Sequence, residues 1–150
     1  MSDALYTKDV LRLAAEAAGA GRLSAPDGSY SAHNPACGDR STIDMRIVDG
    51  RVAAMAHDTK ACVLAQASAS ILGAALPGHT YDDLVKLKVE MTDMFEGRGQ
   101  PSSPFGAYAV LRDAAHYANR RKCVLLPIEA ALKAFENSDT REPGGQGSQG

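Results

Sequence analysis

Residues 42–57 read TIDMRIVDGRVAAMAH, and this stretch decides the fold. Residues 42–48 alternate, with Ile43, Met45 and Ile47 on one face and Thr42, Asp44 and Arg46 on the other. That is the period of a half-buried strand. Asp49-Gly50 follows, a pair suited to a type I′ turn because both central residues there take positive φ. A two-residue loop at this point pairs Val48 with Arg51, Ile47 with Val52, Met45 with Ala54 and Ile43 with Ala56. Each apolar residue on the Ile43, Met45 and Ile47 face then meets an apolar partner, which fixes the expected register.

Working upstream, residues 21–33 are rich in Gly, Ser, Pro and Asp and read as a loop ending in a short strand near 29–33. Residues 5–20 predict a helix, with Tyr6, Val10, Leu13 and Ala14 on one side and a stop at Gly19 and Gly21. Downstream, residues 62–76 predict a helix of very small side chains that ends at Pro77-Gly78. Thr80 is the expected N-cap of the next helix, with Asp82 and Asp83 in its first turn, running to about Phe95. Ser103 as N-cap and Pro104 as first residue predict another helix to about Tyr117. Residues 119–122 read as a basic, polar break, and Pro127 as part of the first turn of a last helix reaching Phe135 or Glu136. The tail from Ser138 has four glycines and no apolar residue, and is expected to be disordered. The domain is therefore expected to cover residues 1–136, with 137–150 as a tail.

The chain has 150 residues, a one-domain length that can bury a core without disulfides. Sixteen Lys and Arg against 18 Asp and Glu leave a net charge of -2. That argues against a nucleic-acid binder held by phosphate contacts. No apolar run approaches the length of a membrane span, and the first ten residues lack a basic-then-apolar signal. The expected setting is a soluble, cytoplasmic domain. The apolar content is dominated by 26 alanines, with no Trp, 5 Tyr and 3 Phe, so the expected core is built from small and aliphatic side chains.

Three cysteines, an odd number, point to free thiols or a metal site over a disulfide framework. In Asn34-Pro-Ala-Cys-Gly-Asp-Arg40, Cys37 and Asp39 are two apart and share one side of an extended segment, and Gly38 allows a sharp turn. Cys62 sits where the second hairpin strand hands over to the small-residue helix, at the positive end of the helix dipole. Cys123 follows Arg120, Arg121 and Lys122. Taken singly, each thiol also fits a small buried hydrophobe, and the three cations a solvated run. Their conjunction separates the readings: each cysteine falls at an expected loop-to-element junction. Three thiolates with one carboxylate make a four-coordinate set suited to zinc, and also to an iron–sulfur cluster with one unusual ligand. The carboxylate is the harder, weaker ligand, which suits a site that releases its cargo. Of the histidines, His33 and His57 are spare-ligand candidates, though a hydrogen-bonded or exposed role fits each better; His79 and His116 have no constellation around them.

Three blocks carry a family resemblance: Asn34-Pro-Ala-Cys-Gly-Asp-Arg40, Lys60-Ala-Cys-Val-Leu-Ala-Gln-Ala-Ser-Ala-Ser70 and Arg120-Arg-Lys-Cys-Val-Leu-Leu-Pro127. In these the chain resembles the IscU/NifU N-terminal type of iron–sulfur cluster assembly protein, close to its SufU branch. The resemblance implies an α+β fold, with a small, mostly antiparallel three-stranded sheet packed against several helices. It implies that Cys37, Asp39, Cys62 and Cys123 are the ligands of one site holding zinc or a nascent [2Fe-2S] cluster, with iron as a further cargo. It implies persulfide sulfur from a SufS-like cysteine desulfurase and a downstream Fe–S carrier or scaffold as recipient. Cys37 is the implied persulfide acceptor, Cys123 its competitor, and Arg120 docks the desulfurase or holds a thiolate. The 61 positions from Cys62 to Cys123 match the SufU branch, with the insertion near residues 77–101. Lys122 stands where IscU-type proteins carry histidine, and the Leu-Pro-Pro-Val-Lys chaperone motif is absent. Thr59-Lys60-Ala61 replaces a Gly-rich approach to the second cysteine. Two alternatives stand beside the scaffold: a zinc-dependent sulfurtransferase that never holds a cluster, and a zinc-stabilised interaction domain.

Overall fold

A computed structural model describes residues 5–35 and 38–138. In chain order the elements are α1 (Lys8–Glu16), β1 (Gly28–Asn34), β2 (Asp39–Val48), β3 (Arg51–Lys60), α2 (Val63–Ala75), α3 (Tyr81–Phe95), a 3-10 segment (Gly106–His116) and α4 (Ala118–Glu136). The strands form one antiparallel sheet in the order β1-β2-β3. This is the α+β arrangement that the family resemblance implies, with a three-stranded antiparallel sheet packed against helices.

The Asp49-Gly50 turn forms as expected, with φ of 54° and 77°, and sets Val48 against Arg51 and Ile47 against Val52. Beyond it the expected register fails. Arg46 pairs with Ala54, Met45 with Met55 and Ile43 with His57. Ala53 is the extra residue of a β-bulge, which changes the phase of β3. Unbroken alternation would have left Met55 on the outer face while Ala54 and Ala56 filled the inner one. The bulge instead buries Met55 at 8% exposure and carries His57 to 2%, because the larger side chain gains more by leaving water.

The inner face of the sheet, with Ile43, Met45, Ile47, Val52 and Met55, joins one core with Leu64 and Ile71 of α2 and Val124 and Ile128 of α4. Helix α1 packs on α2, and α3 packs on α4 and the 3-10 segment. On the outer face Asp44 is fully buried, contrary to the expected polar, solvated face. It accepts bonds from Arg22 (2.6 Å), the Leu23 N–H (3.1 Å) and Ser29 (2.6 Å). Burial alone would raise its pKa, but the bonds from Arg22, Ser29 and Leu23 outweigh it and hold the carboxyl below its ordinary value.

Helix ends follow local chemistry. Thr7 caps α1 by accepting from the Val10 N–H at 3.2 Å, and α1 ends early, at Ala17 with φ 46°, before the glycines that were expected to stop it. Thr80 and Asp83 form a full capping box on α3, which runs to Phe95 as expected. The segment after Pro104 differs from expectation. It starts at Gly106 as a 3-10 turn series with no side-chain cap. The Glu90 carboxylate holds the Ser102 N–H and hydroxyl, tying this approach to α3. The expected break at 119–122 is absent: α4 is continuous from Ala118, with Pro127 inside it. Residues 123, 124, 126–128 and 130–132 of α4 are buried, and this packing outweighs the cost of the proline, about 3 kcal/mol in an isolated helix interior. Beyond α4, Asn137 donates to the Ser29 carbonyl and Ser138 is buried.

Candidate metal and thiol site

Three elements distant in sequence deliver three donors to one place. Asp39 is the first residue of β2, Cys62 is the N-cap of α2, and Cys123 is the sixth residue of α4. Their ligand atoms all lie within 4.8 Å of one another. The Cys123 thiol donates to Asp39 Oδ2 at 3.3 Å. Asp39 and Cys123 are buried, while Cys62 is partly exposed. Cys37 lies outside the described residues, as does any contact it makes.

Cys123 enters this site from inside a helix, not from the loop-to-helix junction expected of it. The Arg120-Arg-Lys run that precedes it is part of the same helix and sorts by direction. Arg120 lies about one turn before Cys123 and lines the same groove, close enough for its charge to act on the sulfur. Arg121 Nε donates to the Ala115 carbonyl at 2.7 Å and fastens the start of α4 to the 3-10 segment. Lys122 is exposed. An open groove of about 500 Å³ leads to Cys123 past Tyr117 and Arg120.

Electrostatics distinguish the groups. Burial first, then the neighbouring Cys62 and the bond donated to Asp39, push the Cys123 thiol far above its ordinary pKa. Without a cation the thiol is therefore held as S–H. Arg120 has its pKa raised by Tyr6 above all, with Cys62 and Cys123 adding to this, and burial opposes the rise. It is a fixed positive charge beside two sulfurs.

A second layer was not visible in the sequence. Ser41 and Thr59 face each other across β2 and β3 with their hydroxyls 2.9 Å apart. Thr59 Oγ1 lies 3.1 Å from His57 Nδ1, and His57 Nε2 lies 3.0 Å from the Ala18 carbonyl. A carbonyl only accepts, so Nε2 carries the proton and Nδ1 accepts from Thr59. Gln66 of α2 donates to the Thr59 carbonyl at 2.5 Å. These bonds pin the strand ends that carry Asp39 and lead to Cys62. His57 is thus a structural group and not a spare ligand. His33 is exposed on β1, and His79 pairs with Asp83 at 3.1 Å, away from the site. The signal that could have found the second layer is Ser41, on the same face of β2 as Ile43, together with His57 and Thr59, which the bulge in β3 turns inward.

The donor set suits a zinc-sized ion. Tetrahedral coordination with metal–sulfur bonds of about 2.3 Å and metal–oxygen bonds of about 2.0 Å puts ligand atoms roughly 3.5–3.8 Å apart. The donors here all lie within 4.8 Å of one another, with Cys123 Sγ 3.3 Å from Asp39 Oδ2, so small side-chain adjustments suffice. Two thiols and one carboxylate could hold zinc or iron, with one position left for a further ligand.

Fold and site together define an α+β domain that gathers soft and hard metal donors at the open end of a three-stranded sheet. The chain belongs to the family described as NifU-like N terminal domain, which it matches over residues 5–124. It is similar to the iron-sulfur cluster assembly scaffold protein IscU of Thermotoga maritima, 25% identical over 132 residues, covering 88% of this chain and 93% of that protein. It is also similar to the zinc-dependent sulfurtransferase SufU of Bacillus subtilis, 27% identical over 114 residues and covering 75% of each. Among solved structures, the N-terminal NifU-like protein of Brucella abortus superposes with a TM-score of 0.85 at 29% identity, over 90% of this chain and 94% of that one.

Proposed function

We propose that this protein takes part in iron–sulfur cluster assembly, accepting sulfur from a cysteine desulfurase at a site formed by Cys37, Asp39, Cys62 and Cys123. The observation that carries the reading is the meeting of Asp39, Cys62 and Cys123 within 4.8 Å from three separate elements. Membership of the NifU-like family and similarity to IscU and SufU support it. Residues 1–136 are taken as the working domain. A bound zinc ion would be held by these four residues and would keep their sulfurs deprotonated. The nascent cluster is cargo, built from delivered sulfur and iron and passed to a downstream Fe–S carrier or scaffold.

In the sulfur-transfer step the thiolate of Cys37 attacks the outer sulfur of the desulfurase persulfide. A new S–S bond forms on Cys37, the S–S bond on the desulfurase breaks, and its cysteine leaves as a thiolate. Arg120, fixed beside Cys62 and Cys123, offsets the anionic charge that gathers there. Cys123 is the competing acceptor, but it is buried against Asp39 and so is harder for an incoming persulfide to reach. Intact-mass spectrometry and peptide mapping after anaerobic reaction with desulfurase and cysteine test this. Added sulfur on Cys37 is expected; sulfur on no cysteine contradicts the reading.

A second reading is a zinc-dependent sulfurtransferase that never holds a cluster. The SufU relative and Lys122, a non-ligating residue before the third cysteine, favour it. Adding ferrous iron to the same reaction separates the two: visible cluster absorbance marks a scaffold, and persulfide without it marks a transferase.

A further inference from the structure

Three basic residues lie in one row across the sheet. Register sets His33 of β1 opposite Arg40 of β2, and Arg40 opposite Lys60 of β3. Residues directly opposed across strands project to the same face, so the row spans about 10 Å. It lies at the end of the sheet that bears the thiol site, since Arg40 follows Asp39 and Lys60 precedes Cys62 by two residues. His33 is exposed, and the Lys60 side chain is 67% exposed.

Arg40 and Lys60 are like charges set directly opposite one another across strands, and such pairs repel. Among the described residues, Lys60 pairs with Asp58 only loosely, at 3.8 Å. Asp44, further along the same face, is already taken by Arg22, Leu23 and Ser29. The Nε of Arg40 is shut away from solvent and, among the described residues, has no hydrogen-bond partner. A buried donor left unmet is destabilising, more so on a charged group.

We propose that the row His33–Arg40–Lys60 docks an acidic segment of the protein that delivers sulfur, and so orients that partner over the thiol site. The proposal rests on the function proposed above. The net charge of -2 supplies no general attraction for anions, so the pull is local to this end of the sheet. A nucleic acid fits less well: binding along a phosphate backbone draws on roughly 6–10 contacts, where this row offers three residues.

The test is calorimetric titration of the full chain with its own organism's cysteine desulfurase, at about 50 mM and about 300 mM salt. The double variant His33→Glu, Lys60→Glu changes two exposed residues that are not metal ligands, and its metal content should match the wild type. At low salt the variant should bind the desulfurase about tenfold more weakly, and high salt should remove most of the difference. Equal binding by both proteins overturns the docking row and leaves sulfur acceptance standing. A wild-type chain that does not bind the desulfurase overturns both. A parallel arm uses an all-glutamate peptide and an oligothymidylate of equal charge. Peptide binding that is lost in the variant supports the row, and tighter binding of the oligonucleotide overturns the proposal in favour of nucleic acid.

Discussion

At Asp39 one carboxylate serves two purposes: it accepts the Cys123 thiol proton at 3.3 Å and faces Cys62 within the same small cluster. Close by, His57 shows how a buried titratable group is kept neutral. Burial lowers its pKa below the ordinary 6.5, only partly opposed by the bond to Ala18 and the charge of Asp58. The consequence for stability has a definite sign. Above the unfolded value of about 6.5 neither state binds the proton, and His57 contributes nothing to the pH dependence. As pH falls through that value the unfolded chain takes up a proton that the folded chain resists, so stability drops until the lower folded value is reached. Urea midpoints at about pH 7.5 and about pH 5.5 should show this loss, and His57→Gln should reduce it. An identical pH slope in wild type and variant would contradict the assignment.

Among the elements, the hairpin and α3 were legible because their signals are local. Asp49-Gly50 dictates a turn, and Thr80 with Asp83 dictates a cap, whatever surrounds them. The bulge at Ala53 and the continuity of α4 through Pro127 were not legible, since both are decided by what is buried. Strict alternation cannot weigh Met55 against two alanines, and a proline rule cannot weigh a helix buried along most of its length. Close approach is equally hidden from pattern. The C-terminal end of α1 rests on α2 at Gly73, where an added Cβ would lie 2.2 Å from the Ala18 carbonyl oxygen. That carbonyl also accepts from His57, and the Ala18 N–H donates to Ser70 at 3.1 Å, so the backbone there has little room to yield. Gly73→Ala should therefore destabilise by about 1–3 kcal/mol despite alanine's higher helix propensity. Chemical denaturation measures it, and a neutral or stabilising change would show that α1 can shift freely.

For the whole molecule, the blocks around Cys37, Cys62 and Cys123 stood out in the sequence, but only the fold shows how three of the donors meet. The end of a strand, the start of one helix and the interior of another converge, with Arg120 and the Ser41–Thr59–His57 chain around them. Composition contributed too: Ala65, Ala67, Ser68 and Ala69 are buried in α2, and small side chains let its neighbours pack closely. Ser68 uses this closeness to donate to the Val124 carbonyl at 2.6 Å, fixing α4 immediately after Cys123. We propose that these elements, together with Cys37, build one Cys3Asp site. X-ray absorption at the zinc edge, on full-length protein loaded with one equivalent of zinc, tests it most directly. The account predicts three sulfur ligands near 2.3 Å and one oxygen near 2.0 Å, both about as in other zinc sites, with the oxygen ligand lost or replaced in Asp39→Ala. Zinc surrounded by nitrogen and oxygen alone, or a spectrum unchanged by Asp39→Ala, would contradict it.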